Sequence, residues 1–148
     1  MAITTGARRG ELLSLRWSDI NITTRQATLH DTKNGRSRVL PLTAETISEL
    51  KTFQAVGSAL LFPNPANGKP YDFRIPWNAA LQAAGIDNFK FHDLRHTCAS
   101  YLAQNGATLV QIADVLGHSN TVVTGRYAHL CIGHKQTLID SVLGDVGL

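Results

Sequence analysis

The sequence predicts an α+β domain that is mainly α-helical and carries a small three-stranded antiparallel sheet at one edge. Three observations predict this fold class. The chain has 148 residues, of which 43% are hydrophobic, and this suits one globular domain with a buried core. Asn34-Gly35, a pair typical of a tight hairpin turn, stands in the first third of the chain. From residue 92 onward the apolar residues recur at helical spacing.

The N-terminal third is expected to hold one short helix and the sheet. A helix that opens after Gly6 would place Leu12 and Leu15 on one apolar face. Alternating apolar and polar residues over 20–22 and 26–30 predict two strands. Val39 and Leu40, beyond the Asn34-Gly35 turn, supply the third strand.

The middle of the chain predicts two helices separated by a loop. Thr43 can cap a helix that runs to about Phe53, because a threonine hydroxyl accepts hydrogen bonds from first-turn amides. Proline, glycine and asparagine are frequent over residues 56–72, which indicates a long loop. The next helix should begin at about Pro76 and end at Gly85.

The second half predicts helices with marked ends. One helix covers residues 92–105 and stops at Asn105-Gly106, a pair typical of helix C-termini. Thr108 and Gln111 have the spacing of a capping box, and Gly117 ends the helix that they begin. Ser119-Asn120 can cap another helix. An amphipathic C-terminal helix is predicted by a stripe at i, i+3, i+4 and i+7, made of Ile139, Val142, Leu143 and Val146.

Composition narrows the class of protein. The formal net charge of +3 permits binding to a polyanion, and basic residues are concentrated in the first 38 positions. No apolar run approaches the roughly 20 residues of a membrane helix.

His92 and His96 share a helix face at i, i+4, but no third metal ligand accompanies them. We expect a cytoplasmic protein without a cofactor or metal, in which Cys98 and Cys131 are free, buried thiols.

Several ionisable residues stand where packing gives no reason for them. Each has an ordinary explanation when taken alone, because surface arginines, turn lysines, helix-end histidines and half-buried tyrosines are common in globular proteins. Helical periodicity also does not distinguish Arg8 from its neighbour Arg9. The candidates for a functional site are Arg8, Lys33, His92, Arg95, His118 and Tyr127.

Four runs carry these candidates, namely TTGARRGELLSLRWSDI, TKNGRSRVLPL, FHDLRHTCASYL and LGHSNTVVTGRYAHL. In order and spacing they resemble the first arginine box, the lysine hairpin, the His-x-x-Arg box and the nucleophile segment of the tyrosine recombinases, the phage integrase family. The resemblance spans about residues 3 to 130. It implies an enzyme that cuts and rejoins double-stranded DNA without metal or ATP, through a 3′-phosphotyrosyl intermediate.

The resemblance also implies a role for each candidate. Tyr127 would be the nucleophile, and Arg8 and Arg95 would bind the non-bridging phosphate oxygens, since paired guanidinium donors fit them. His92 would accept the proton of the tyrosine, and Lys33 would donate a proton to the departing 5′ oxygen. His118 would form a hydrogen bond with the phosphate, and Glu11 would be the acidic residue of the first box.

The family pattern sets further expectations for the whole chain. Residues 1–148 would form the catalytic domain, without the first helix of that domain and without an N-terminal DNA-clamping domain. The C-terminal helix would either pack against its own domain or, as the resemblance implies, dock onto a neighbouring protomer. The second course implies self-association through this helix, with a tetramer on DNA for the full-length protein. Gly125 departs from the polar residue usual two positions before the tyrosine. Two alternatives remain open, a nicking and closing activity like that of type IB topoisomerases and a catalytically silent DNA-binding remnant.

Overall fold

The computed structural model describes residues 1–30, 37–52 and 59–144, and the chain divides into two compact units. The N-terminal unit covers Met1–Arg95 and the C-terminal unit covers His96–Leu148. The architecture confirms the predicted class, a mainly helical chain with a three-stranded antiparallel sheet. None of the helices in the described ranges is long and apolar enough to cross a membrane.

Two short helices open the N-terminal unit. Helix α1 (Ala2–Thr5) was not predicted, and it ends at Gly6, whose φ of 60° is left-handed. Helix α2 (Arg9–Ser14) is the predicted helix, but it stops before the end of the apolar run. The reason is tertiary, because Leu15 leaves helical geometry and its carbonyl accepts a hydrogen bond from the Leu61 amide over 2.7 Å. A 3₁₀ turn follows at Trp17–Asp19.

The sheet has the predicted strands in the order β1-β2-β3, with β1 at Ile20–Asn21, β2 at Gln26–Leu29 and β3 at Arg38–Pro41. Both pairings are antiparallel. Ala27 of β2 lies opposite Leu40 of β3, and both are buried, which fixes the register by placing apolar residues on one face. The predicted Asn34-Gly35 turn lies outside the described residues.

Helices α3 (Ala44–Leu50) and α4 (Arg74–Ala83) complete the regular structure of this part of the chain. The hydroxyl of Thr43 caps α3 as predicted, accepting from the Thr46 amide over 3.2 Å. Helix α4 begins two residues before Pro76, because first-turn amides have no acceptor within the helix and a proline is tolerated there. Between them, residues 59–72 form the predicted loop, apart from isolated bridges between Arg16 and Leu60 and between Pro63 and Pro70.

Helices α5 (Asp93–Gln104) and α6 (Leu109–Leu116) lie where the sequence predicts them. The capping box at the start of α6 is confirmed, since the Gln111 amide donates to the Thr108 hydroxyl and the Thr108 amide donates to Oε1 of Gln111. Gly117 ends α6 with a left-handed φ of 67°.

The segment after Gly117 differs from the expectation. Asn120 does accept a hydrogen bond from the Val122 amide, yet a 3₁₀ helix at Val123–Cys131 follows it. Helix α7 (Ile132–Leu143) comes next, and Ile139, Val142 and Leu143 of the predicted stripe lie on it. Val146 lies outside the described residues.

Each unit has a hydrophobic core of its own. In the N-terminal unit, α2, the sheet, α3 and the 59–61 segment bury Ala7, Leu12, Leu15, Ala27, Leu29, Leu40, Leu42, Ile47, Leu50 and Leu61. In the C-terminal unit, the core consists of Ala99, Ala103, Ile112, Leu116 and Tyr127. Cys98 and Cys131 are both thiols, but only Cys98 is buried as predicted, whereas Cys131 is partly exposed.

Candidate active site

Glu11 joins two arginine side chains at the start of α2. Arg8 immediately precedes this helix, and its backbone amide donates to Oε2 of Glu11 over 2.8 Å, which is half of a capping box. Nη1 of Arg8 donates to Oε1 of the same carboxylate over 2.7 Å. From strand β3, Nη2 of Arg38 donates to Oε2 over 2.8 Å. The carboxylate therefore fixes the orientation of the Arg8 side chain.

The ionisation of Glu11 determines the charge of this cluster. Burial raises its pKa, but the hydrogen bonds from Arg8 and the positive charge of Arg38 outweigh burial and hold that pKa below its usual range. Glu11 is consequently ionised at neutral pH. One carboxylate faces two guanidinium groups, so the cluster retains positive charge that can meet an anion.

Arg95 lies on the first turn of α5 and is buried, with 4% of its surface exposed. Nη1 of Arg95 donates to the carbonyl oxygen of Gly6 over 2.6 Å. Gly6 is two residues before Arg8, so the structure brings Arg95 to the loop that leads into α2. A buried guanidinium without hydrogen bonds would be costly, and this carbonyl offsets part of that cost.

His92 and Lys33 complete the candidates of the N-terminal unit. His92 is exposed and lies immediately before α5, where its carbonyl accepts a hydrogen bond from the Arg95 amide over 3.1 Å. Lys33 lies outside the described residues, and its place in the site stays a prediction.

Tyr127 lies on the 3₁₀ helix of the C-terminal unit and is 6% exposed. It packs in the core with Ala99 and Ala103 of α5 and with Leu116 of α6. Its hydroxyl oxygen is 2.6 Å from Nδ1 of His96, a hydrogen bond whose donor depends on which nitrogen of the imidazole carries the proton. The candidate nucleophile is therefore already paired with a histidine.

His118 follows the glycine that ends α6. Its backbone amide donates to the Ala113 carbonyl over 2.9 Å, which continues the helix-ending turn. Nδ1 of its ring lies 2.8 Å from the hydroxyl of Thr124, a fully buried residue of the Tyr127 segment. Two histidine–hydroxyl hydrogen bonds thus hold this segment, one at Thr124 and one at Tyr127.

Sequence reasoning did not identify Arg38, His96 or Thr124. His96 entered only as a possible metal partner of His92, and the described residues contain no group of three or more His, Cys, Asp or Glu side chains placed to hold a metal ion. One signal for His96 was present, because at 100° per residue it shares a helix face with Ala99 and Ala103, both fully buried.

The candidates are divided between the units. The N-terminal unit brings together Arg8 and Arg95 with their partners Glu11, Arg38 and Gly6. The C-terminal unit brings together His118 and Tyr127 with Thr124 and His96. That the basic candidates surround one phosphate stays a prediction, and these candidates are Arg8, Lys33, His92, Arg95 and His118.

Comparison with known proteins identifies one group of relatives. A family model described as the phage integrase family matches residues 1–133. The integrase of Salmonella phage P22 is 29% identical, over 97% of this chain and 42% of its own length. A shufflon-specific DNA recombinase of Escherichia coli is 34% identical, over 88% of this chain and 33% of its own length. The chain spans less than half the length of these curated relatives.

Solved structures lead to the same group. The catalytic domain of bacteriophage HP1 integrase is 27% identical, with a TM-score of 0.75 over 99% of this chain and 82% of that one. A XerH site-specific recombinase bound to its difH substrate has a TM-score of 0.73 over 94% of this chain and 43% of that one. At 24% identity, the second likeness concerns the fold alone.

Proposed function

Because the chain belongs to the phage integrase family, we propose that it is the catalytic part of a site-specific tyrosine recombinase that cuts and rejoins double-stranded DNA. The observation that carries the proposal is the pairing of Arg95 with the loop that precedes Arg8. That contact brings the Arg95 side chain to the backbone two residues before Arg8, and it supports a role for both guanidinium groups in binding the two non-bridging oxygens of one phosphodiester. Such an enzyme works where bacterial or phage DNA is found, in the cytoplasm.

The two arginines would act on the charge that develops during the reaction. When an oxygen attacks phosphorus, negative charge grows on the non-bridging oxygens, and preorganised donors stabilise it more in the transition state than in the ground state. Glu11 supports this role by fixing Arg8 before DNA arrives. Arg38 supports it in turn by holding Glu11.

Tyr127 would supply the nucleophile. Its attack would form a 3′-phosphotyrosyl bond and release a 5′ hydroxyl, so that the energy of the broken bond is conserved for rejoining. An isolated phenol has a pKa near 10, and its full ionisation at pH 7 costs about 4 kcal/mol. A nearby proton acceptor would lower that cost. The family pattern assigns this role to His92, proton donation to the 5′ oxygen to Lys33 and a phosphate hydrogen bond to His118.

A covalent adduct tests the proposal. The chain is incubated with a pool of random-sequence duplexes, each carrying a nick that traps the cleaved strand, and adducts that survive denaturation in detergent are sequenced. We expect adducts from the wild type and none from Tyr127→Phe. Tyr101→Phe is the matched control, because Tyr101 is an exposed tyrosine of α5 and its loss should leave the adduct intact. No adduct from the wild type, or an adduct from Tyr127→Phe, would contradict the proposal.

The names of the relatives favour recombination over nicking and closing. Once a target duplex is known from the adducts, a second labelled duplex shows which of the two occurs. Joining of strands between duplexes identifies a recombinase. Relaxation of a supercoiled plasmid without any joining identifies the topoisomerase-like alternative.

We also propose that α7 mediates contact between copies of the protein, and that the full-length protein acts as a tetramer on DNA. Along this helix, four large apolar side chains are between 48% and 62% exposed, namely Leu138, Ile139, Val142 and Leu143. An apolar stripe of this size favours burial against another surface, and a second copy is the partner that the family pattern implies.

A further inference from the structure

We propose that His96 is a catalytic residue that takes the proton from the Tyr127 hydroxyl when Tyr127 attacks DNA. The inference rests on the proposed function and assigns the proton transfer to a residue that the family pattern leaves without a role. Its basis is one contact inside the C-terminal unit, the 2.6 Å between Oη of Tyr127 and Nδ1 of His96.

The geometry suits proton transfer from oxygen to nitrogen. A separation of 2.6 Å is at the short end of the range for hydrogen bonds, and the reacting oxygen is the atom involved. The two rings lie 6.3 Å apart between centroids and are tilted by 46°, so their contact is made at the edges that carry Oη and Nδ1. With the imidazole proton on Nε2, Nδ1 accepts from the phenol.

Packing fixes this arrangement. Tyr127 is buried against Ala99 and Ala103, which lie three and seven residues after His96 on the same face of α5. The hydrogen bond between His118 and Thr124 holds the same 3₁₀ helix three residues earlier. Core packing and the contact at Thr124 therefore both keep Oη next to His96. His92, by contrast, is exposed.

The chemistry favours a histidine at this point. An unperturbed imidazole has a pKa near 6.5, so at neutral pH it is mostly in the form that accepts a proton. General bases with pKa values near the working pH contribute about 100-fold to 10,000-fold to a rate. This hydrogen bond uses the O–H bond of Tyr127, so it does not itself occupy the lone pairs of Oη that attack phosphorus.

The step balances over one cycle. The O–H bond of Tyr127 breaks and its proton moves to Nδ1 of His96, while the bond from Oη to phosphorus forms. The bond from phosphorus to the 5′ oxygen breaks, and that oxygen leaves with a proton from an ammonium group, which the proposed function assigns to Lys33. In rejoining, the 5′ oxygen forms its bond to phosphorus and its proton returns to the amine that was left by cleavage. The bond from phosphorus to Oη breaks, and the imidazolium of His96 returns its proton to Oη.

Two substitutions of His96 distinguish acceptance of the Tyr127 proton from mere positioning of the Tyr127 side chain. His96→Asn places a carbonyl oxygen near the former Nδ1, so it can accept the hydrogen bond without being basic. His96→Phe removes the acceptor altogether. His129→Asn is the matched control, since His129 is an exposed histidine of the same 3₁₀ helix. If His96 only positioned Tyr127, the asparagine variant would react like the wild type.

The measurement is the single-turnover rate of adduct formation on two forms of one target duplex. In one form the scissile bond has its normal 5′ oxygen, and in the other a 5′ sulfur, which leaves without needing a proton. We expect His96→Asn to be slower by about 100-fold or more on both forms, although it unfolds at the same urea concentration as the wild type. Lys33→Ala should be slow on the oxygen form alone, and His129→Asn should be unchanged.

Each outcome decides between the hypotheses. A wild-type rate for His96→Asn on the sulfur form overturns the role of His96, and a loss of rate in His92→Asn on both forms would then assign the proton to His92. Slow reaction by His96→Phe with normal reaction by His96→Asn reduces His96 to a positioning residue and also overturns the inference. Absence of any adduct from the wild type overturns the proposed function together with this inference.

Discussion

Among single residues, Glu11 connects two arginines in the N-terminal half of the candidate site. Its two carboxylate oxygens contact Arg8 on one side and Arg38 on the other, and its side chain is only 10% exposed. Two cations that lie this close are compatible with a folded structure because the carboxylate stands between them. Glu11 thus contributes both to stability and to the orientation of Arg8.

Replacing Glu11 should therefore destabilise the fold. We expect Glu11→Gln to lower the free energy of unfolding by about 2 kcal/mol at pH 7, the typical cost of losing hydrogen bonds to a charged group. The measurement is urea denaturation. Glu49→Gln, at an exposed position of α3, is the control and should change little. An equal effect of the two substitutions would show that the cluster adds nothing to stability.

The effect of Glu11 should depend on pH in a defined direction. Folding lowers the pKa of this carboxyl from its ordinary 4.5. Its stabilising effect is present above the unfolded pKa and is lost as the pH falls through the folded pKa. The gap in stability between the wild type and Glu11→Gln should therefore narrow as the pH is lowered from 5 toward 3.

Arg8 gives a prediction about catalysis. We expect Arg8→Ala to slow adduct formation by about 100-fold or more, while DNA affinity falls much less, because its hydrogen bonds strengthen as charge develops on the phosphate. Arg9→Ala is the control, as Arg9 is exposed and adjacent in sequence. Equal losses of affinity and rate in Arg8→Ala would contradict the assignment of Arg8 to the transition state.

The sequence predicted these residues unevenly. The family resemblance pointed to Arg8 and Glu11, which are neighbours on one helix turn, whereas periodicity did not distinguish Arg8 from Arg9. Arg38 was not predicted, because its contact with Glu11 joins positions 27 residues apart in sequence. This contact depends on the pairing of β3 within the sheet. His96 was not predicted as a site residue, because its hydrogen-bond partner Tyr127 is 31 residues away in sequence.

Among the elements, local signals predicted most of the helices. The ends of α5 and α6 follow from capping residues whose hydrogen bonds are local. The early end of α2 could not be predicted, because residues 15–17 pair with residues 59–61. The 3₁₀ geometry of Val123–Cys131 could not be predicted either, since periods of 3.0 and 3.6 residues are hard to distinguish over nine residues.

The capping box of α6 is the local device whose loss is most directly measurable. Thr108→Ala removes the hydroxyl that accepts from the Gln111 amide, and this should cost about 1 kcal/mol of stability. Because α6 supplies Ile112 and Leu116 to the core of Tyr127, loosening it should also increase hydrogen exchange in the C-terminal unit. Thr23→Ala, in the exposed turn between β1 and β2, serves as the control. Unchanged stability in Thr108→Ala would mean that packing alone fixes this helix.

At the scale of the whole molecule, the candidate arginines and the exposed apolar stripe lie in different units. Arg8 and Arg95, which we propose to bind the phosphate, lie in the N-terminal unit, and the candidate nucleophile lies in the C-terminal unit. The C-terminal unit also carries the exposed stripe of α7, made of Leu138, Ile139, Val142 and Leu143. Each such side chain gains roughly 1.5 to 3 kcal/mol when it is fully buried, so covering the stripe would offset much of the cost of association.

The stripe therefore predicts weak self-association at high protein concentration. We expect the weight-average mass from sedimentation equilibrium to rise with concentration for the wild type and to stay near the monomer for Val142→Lys, which places a charge in the middle of the stripe. Asp140→Asn is the matched control, because it changes the net charge by the same +1 at an exposed position of α7 outside the stripe. It should associate like the wild type. If wild type and Val142→Lys are both monomeric at millimolar concentration, the stripe is not a contact between copies, and the proposed tetramer must be built on another surface.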